Sequence, residues 1–347
     1  MGSRVITAVP DSRPFGATVA ARWQYYRRIL PAYLGSGRSQ LTFWHETPEI
    51  SAGIGNIAQM PGERLGVYYM RFREKADYAG ALDDDGIPML DYRGAIGPRY
   101  NPIAIAQWGL GNFNLLCETT DQIRLRRARK AADWLVANLE QNGHGLWVWH
   151  HHFDWEYRST LKAPWYSGLA QGQGVSLLLR AHAQTGIGKY REAAEQAFIS
   201  LRTPISEGGV LLDDQRNLWI EEYIVDPPTH ILNGFMWALW GVFDFWIASG
   251  DVSAKQIFDR GVATLLHNLP NYDTGYWSLY EQSGTRLKML ASPFYHRLHI
   301  VQLHVMAALT ANARFAEVAE RWEGYARRRA NRVHAVVGKS VFKLLHY

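Results

Sequence analysis

The text WIEEYIVDPPTHILNGF sets Glu221, Glu222 and Tyr223 at the end of a strand, ahead of a Pro-Pro loop and of Asn233 entering a helix. Successive side chains on a strand point to opposite faces, so only one of the two glutamates readily faces a cleft. The next loop of similar character carries Tyr280, and the next apolar helix opens with Tyr295, His296, Arg297 and His299. A carboxylate and phenols from successive loops form an acid/base set, able to take a proton from a substrate and return one. The competing reading makes these tyrosines amphipathic core residues at the mouth of the fold.

Other chemistries find less support. His150 and His152 share one face of a strand, but no third histidine or carboxylate stands at a recognisable ligand spacing, so no metal site is expected. Asp83, Asp84, Asp85 and Gly86 read as a hairpin turn, because the later ligands of an EF-hand are missing. There is no GxxxxGK[ST] loop and no GxGxxG between strand and helix. Basic residues are dispersed outside the C-terminal tail, which argues against nucleic acid as a partner. No metal, flavin or nicotinamide cofactor is expected. One cysteine, Cys117, leaves no intramolecular disulfide.

The first fifteen residues hold no apolar run of signal-peptide length, and ILNGFMWALWGVFDFWIASG is broken by Asn, Gly and Asp. A soluble, cytoplasmic protein is therefore expected, and a homodimer is compatible with the sequence. The net charge of +5 suits an anionic partner. The 14 Trp, 18 Tyr and 13 Phe either fill a large core or line a groove in which pyranose rings stack on aromatic faces.

The elements that must position these residues repeat about every 65 residues. Long apolar helices are predicted from Ile103, Tyr166, Ile231 and His296, each followed across a short turn by an amphipathic one. LRRARKAADWLVANLE is the clearest of the second kind, with Ala131, Trp134, Leu135 and Leu139 on one face. Ahead of the later inner helices, GHGLWVWHHHFDWEY, GGVLLDDQRNLWIEEY and DTGYWSLYEQSG read as β-hairpins. Alternating inner and outer helices imply a mainly α fold, an (α/α) toroid of about four helix pairs with inter-pair hairpins. Residues 1–95 are expected to form a smaller N-terminal helix and hairpin region, with strands in LGVYYMRFRE and ALDDDGIPMLDYRG. Residues 96–347 are expected to form the toroid. The basic tail RRRANRVHAVVGKSVFKLLHY reads either as a solvated helix end or as a surface for an anionic glycan or a membrane's headgroups.

Taken together, YNPIAIAQWGL, PWYSGLAQGQGVSLLLRAH, EEY followed by LNGFMWALWG, LPNYDTG and YHRLHIVQL resemble the C-terminal catalytic region of the D-glucuronyl C5-epimerases, from about Tyr100 to Trp322. Such enzymes convert D-glucuronate to L-iduronate in heparosan-type polymers. Animal members carry an additional β-barrel region that these residues are not expected to form. The resemblance implies that Glu222 and Tyr223 are the catalytic Glu-Tyr pair, joined by Tyr280 and Tyr295. It also implies substrate contacts from Asn233, Tyr166, Gln173, His296, Arg297 and the segment from Met289 to Leu298. Phe153 to Glu156 aligns with a further substrate loop whose residues are mostly changed. The family places an arginine three residues after the tyrosine matched by Tyr280, where this chain has Ser283. Arg286, Lys288 or Arg297 is expected to supply the missing charge.

Inverting C5 of a uronate removes a proton α to a carboxylate and returns one to the opposite face. Negative charge gathers on the carboxylate meanwhile, and cations and hydrogen-bond donors must stabilise it. Glu222 would be the base in one direction and Tyr295 the opposing acid, with Tyr280 and Tyr223 in support and His296 in reserve. Two other readings stay open: a lyase that follows the same proton abstraction with β-elimination, and a catalytically silent glycan-binding protein. The expected partner in all three is an anionic, uronate-containing polysaccharide.

Overall fold

The computed structural model describes residues 43–56, 59–92, 96–158 and 160–346. The helix expected in GATVAARWQYYRRILPAYL lies outside them. Four helix pairs follow one another: α2 (Pro102–Thr119) with α3 (Gln122–Ala137), α4 (Gly168–Thr185) with α5 (Gly188–Arg202), α6 (Leu232–Ser249) with α7 (Val252–Tyr272), and α8 (Pro293–Thr310) with α9 (Ala313–Arg327). The short α1 (Arg73–Ala76) precedes them and α10 (Arg329–His346) follows. The architecture is the mainly helical (α/α) toroid that the repeat implied.

Local chemistry explains where the inner helices begin. Asn101 accepts from the Ile103 and Ala104 amides, with Pro102 at the first helical position. Ser167 and Ser292 cap α4 and α8 in the same manner. The first turn of α6 has no side-chain cap; the Leu232 amide donates instead to the Tyr280 carbonyl at 3.1 Å. That bond ties the loop bearing Tyr280 to the helix bearing Asn233. The inner helices α2, α4 and α6 are buried nearly all round and α8 over about half its residues, whereas α3, α5, α7 and α9 bury one stripe each.

The α4–α6 contact is the tightest of these. A Cβ on Gly241 would stand 2.3 Å from the Gly172 carbonyl oxygen, so the two backbones touch where neither residue has a side chain. Arg180 on α4 meets Asp244 on α6 at 2.5 Å, both fully buried. Tyr69 donates to the same carboxylate at 2.6 Å, and the guanidinium lies over the rings of Tyr68 and Tyr69. The pair thus locks two inner helices to the N-terminal residues.

Those N-terminal residues span the first and last inner helices. The turn at Ile54–Asn56 packs on α8, α1 packs on α2, and the His45 ring meets Phe294 at 4.8 Å. The hairpin of β1 (Leu90–Asp91) and β2 (Pro98–Arg99) joins residues on either side of 95/96.

Two strand expectations need correction. LGVYYMRFRE contributes one bridge, Ile50 with Met70, and then turns into α1. Tyr68, Tyr69, Met70 and Phe72 are all buried, so the segment cannot keep the one wet face of an edge hairpin. DTGYWSLYEQSG forms no extended hairpin, only the bridges Asp273–Ser278 and Leu279–Leu290. Its backbone is drawn in two directions: Leu279 donates to the Tyr272 carbonyl and Tyr280 to that of Met289, each at 2.8 Å. The other two hairpins are short, β3 (Glu140–Gln141) with β4 (Trp147–Val148) and β5 (Leu211–Asp213) with β6 (Leu218–Ile220). In the Asp83 turn, the Asp83 carboxylate accepts from the Ile87 amide and the Tyr100 hydroxyl.

Candidate active site

Strand β6 ends at Ile220, and alternation sends the next two side chains opposite ways. Glu221 turns into the protein, where it accepts from the His230 amide at 3.1 Å and holds the His230 imidazole. That ring stacks on Trp219 at 4.4 Å, so Glu221 anchors the loop leading to α6. Glu222 faces a cavity at the toroid mouth. Its carboxylate accepts from the Asn233 amide nitrogen at 3.4 Å and packs against the first turn of α6. Gly234 makes room for it: a Cβ there would lie 2.2 Å from Glu222 Oε2. Burial pushes the Glu222 carboxyl up to about 8; Glu221 and Glu281 add to this and the Tyr223 hydroxyl opposes it.

Tyr280, Tyr295, Tyr223 and Asn233 line the same cavity. The Tyr280 and Tyr295 rings meet edge-on, with centroids 4.8 Å apart. Burial, reinforced by Glu222, raises the Tyr280 phenol well above its usual value, so it holds its proton and has a hydrogen to donate. Beside Tyr280, the buried Glu281 is held by the Tyr157 hydroxyl and by Arg158 at 3.5 Å. Trp44, Trp155, Trp165 and Trp237 contribute aromatic walls, while Trp149, Trp240, Trp277 and Trp322 are wholly buried in the core. Aromatic residues therefore both fill the core and line the cavity. Phe153, Trp155 and Glu156, with Met289, Phe294, Tyr295 and Leu298, reach the cavity from the two segments the sequence singled out.

Among the described residues, the cavity lining carries other cations than those expected. Arg286, Lys288 and Arg297 are exposed and lie outside the cavity lining. The cavity's cations are Lys75, Lys339 and Lys343. Lys75 donates to the Phe43 carbonyl, lies 3.9 Å from Glu46, and is lowered by burial to about 8. Lys339 stands over the rings of Tyr280 and Tyr295, at 4.9 and 5.4 Å. It belongs to α10, so the basic tail covers the cavity with one face. Ala335, Lys339 and Phe342 are buried on that face, while Val333, Val337 and Val341 are exposed on the other. The signal was present in the sequence: a lysine four residues after Ala335 and three before Phe342, on an otherwise apolar stripe.

Several other expected contacts point away from the cavity. His296 follows Tyr295 on α8, about 100° further round the helix. It is fully buried, stacked on Trp277 at 3.8 Å and bonded to the Trp322 carbonyl at 3.0 Å. Burial lowers it to about 4, which leaves it neutral. Tyr166 sits opposite its neighbour Trp165 in the extended segment before α4, and its hydroxyl donates to the Gly208 carbonyl at 2.7 Å. Gln173 lies behind Gln107, accepting its amide at 3.0 Å; Gln107 itself reaches the cavity. The hairpin β3–β4 brings Glu140 Oε2 to His150 Nδ1 at 3.0 Å and His152 Nε2 at 3.2 Å, a carboxylate that local spacing did not show. Both imidazoles aim at that one oxygen, and no group of three His, Cys, Asp or Glu among the described residues is arranged to hold a metal ion.

The groups gathered here are ones that move protons: a carboxyl whose proton affinity burial raises, phenols in the same cavity, aromatic walls and buried cations. Residues 141–324 match the family model "D-glucuronyl C5-epimerase C-terminus". A D-glucuronyl C5-epimerase of Caenorhabditis elegans is 34% identical over 212 residues, covering 56% of this chain and 34% of that protein. The protein MJ1128 of Methanocaldococcus jannaschii is 26% identical over 195 residues, covering 55% of this chain and 62% of its own. The chain thus spans only about a third of the first relative's length and three-fifths of the second's. Among solved structures, a D-mannose isomerase superposes with a TM-score of 0.51 at 9% identity, covering 74% of this chain and 67% of its own, a likeness of fold alone. With the family match covering more than half of its residues, this chain belongs to the D-glucuronyl C5-epimerase C-terminus family.

Proposed function

We propose that this protein inverts C5 of D-glucuronate units in a heparosan-like polysaccharide to give L-iduronate. The observation that carries this reading is the meeting of Glu222 with the Tyr280–Tyr295 pair in one aromatic-walled cavity. Glu222, as carboxylate, takes the C5 proton, and the C5–H electron pair moves into the substrate carboxyl group. The Tyr295 hydroxyl returns a proton to C5 from the opposite face. The reverse reaction uses the same groups in exchanged roles, and the net change is an isomerisation without oxidation. A carboxyl whose proton affinity lies near the operating pH can accept from one epimer and donate to the other. Tyr280 keeps its proton and donates a hydrogen bond, while Tyr223 tunes Glu222 through their shared bond. Asn233 orients the glutamate.

Incubation with heparosan in heavy water tests the reading. Deuterium should enter C5 of the uronate and iduronate signals should appear in the proton spectrum. An unsaturated product absorbing in the near ultraviolet would identify a lyase. No C5 exchange at all would leave a glycan-binding protein.

A further inference from the structure

We propose that Lys339, on the C-terminal helix α10, is the cation that binds the substrate carboxylate, so that this helix completes the site. The inference rests on the reading above for the identity of the ligand, a uronate, but its evidence is geometric. Lys339 is 8% exposed, lines the cavity, and stands over Tyr295, proposed to serve C5, and over its neighbour Tyr280. The uronate carboxyl carbon is bonded directly to C5, so a group able to reach that carboxylate must sit just beside whatever serves C5. Lys339 does so.

Among the described residues nothing pairs with its charge. The two aromatic faces attract an ammonium only weakly. Glu281, the carboxylate that acts on it, is held by Tyr157 and Arg158 and forms no ion pair with Lys339. Among the described residues Lys339 has no ion-pair partner. A lysine nine-tenths buried without a carboxylate is costly, and an incoming anion relieves that cost. Lys75, by contrast, already donates to the Phe43 carbonyl and sits near Glu46. Burial, followed by the repulsion of Lys343, lowers Lys339 to about 7, the direction expected of an ammonium awaiting a counter-charge. The expected arginine position is occupied by Ser283, whose hydroxyl is engaged with Thr285 at 3.0 Å. A charge absent from that loop would thus be supplied by a different element.

Calorimetric titration with a heparosan hexasaccharide and with its carboxyl-reduced, neutral counterpart tests the assignment at pH 6.5. The wild type should prefer the uronate ligand by at least about 10-fold. Lys339→Met should weaken uronate binding roughly 10- to 150-fold, the range of one charged hydrogen bond, and leave the neutral ligand within about 2-fold. Lys339→Gln, which keeps length and polarity, serves equally should the methionine variant not fold. Equal losses for both ligands would mean that Lys339 only supports the fold and would overturn the proposal. So would an unchanged preference in either variant, or a wild type that does not distinguish the ligands. C5 deuterium exchange on the same wild-type sample separates the two ideas: its absence sinks the epimerase reading while the ligand preference still judges Lys339.

Discussion

Replacing Glu222 with glutamine removes a carboxyl whose ionisation folding shifts to higher pH. Its proton affinity is raised by burial from 4.5 to about 8, which at about 1.4 kcal/mol per tenfold amounts to roughly 4–5 kcal/mol between the protonation states. Below pH 4.5 the group is neutral in both folded and unfolded chains and costs nothing. Between pH 4.5 and about 8 the unfolded chain releases this proton and the folded chain retains it, so stability falls as pH rises; above about 8 the full penalty is present. Lys339 has the opposite slope, since its lowered proton affinity makes stability rise between about 7 and 10.5. The difference between wild type and Glu222→Gln cancels such common terms. Urea unfolding of both proteins from pH 5 to pH 9 should show the variant gaining about 4 kcal/mol on the wild type across that range, while C5 exchange from the epimer whose proton faces Glu222 disappears. A difference that stays flat with pH would show Glu222 ionising in the ordinary carboxylate range. Its proposed role as proton donor to the other epimer would then lose its physical basis.

Tyr295→Phe should lower net inversion by about 100-fold or more while C5 exchange persists from one face, read by deuterium incorporation and product ratio; loss of both at once would contradict opposed acid and base. Gly234→Ala would put a methyl 2.2 Å from Glu222 Oε2 and 2.7 Å from its Cβ, so activity should drop at least about 10-fold and stability fall by about 1–3 kcal/mol. Kinetics beside a melting curve decide it. Arg180→Met strands the Asp244 carboxylate between two inner helices and should cost about 3–5 kcal/mol in denaturant unfolding, with little change at the cavity it does not line.

Periodicity alone determined the alternation of helices here, because burial all round and burial on one stripe write different patterns into a helix. Strand alternation likewise separated Glu222 from Glu221, and helix starts near Asn101, Ser167 and Ser292 follow from their own caps. The family resemblance brought Tyr280 and Tyr295 to the glutamate. What no local pattern could decide was which charged group on a long loop or a tail faces the cavity. Arg286, Lys288 and Arg297 are near Tyr280 and Tyr295 in sequence yet point to solvent, and His296 turns into the core beside Trp277. Lys339 stands 44 positions beyond Tyr295, and only the packing of α10 on α8 and α9 sets it over that ring. Secondary structure is written in neighbours a few residues apart, while a charge is placed in a site by whichever surfaces bury together, and that selection exists only once the chain has closed on itself.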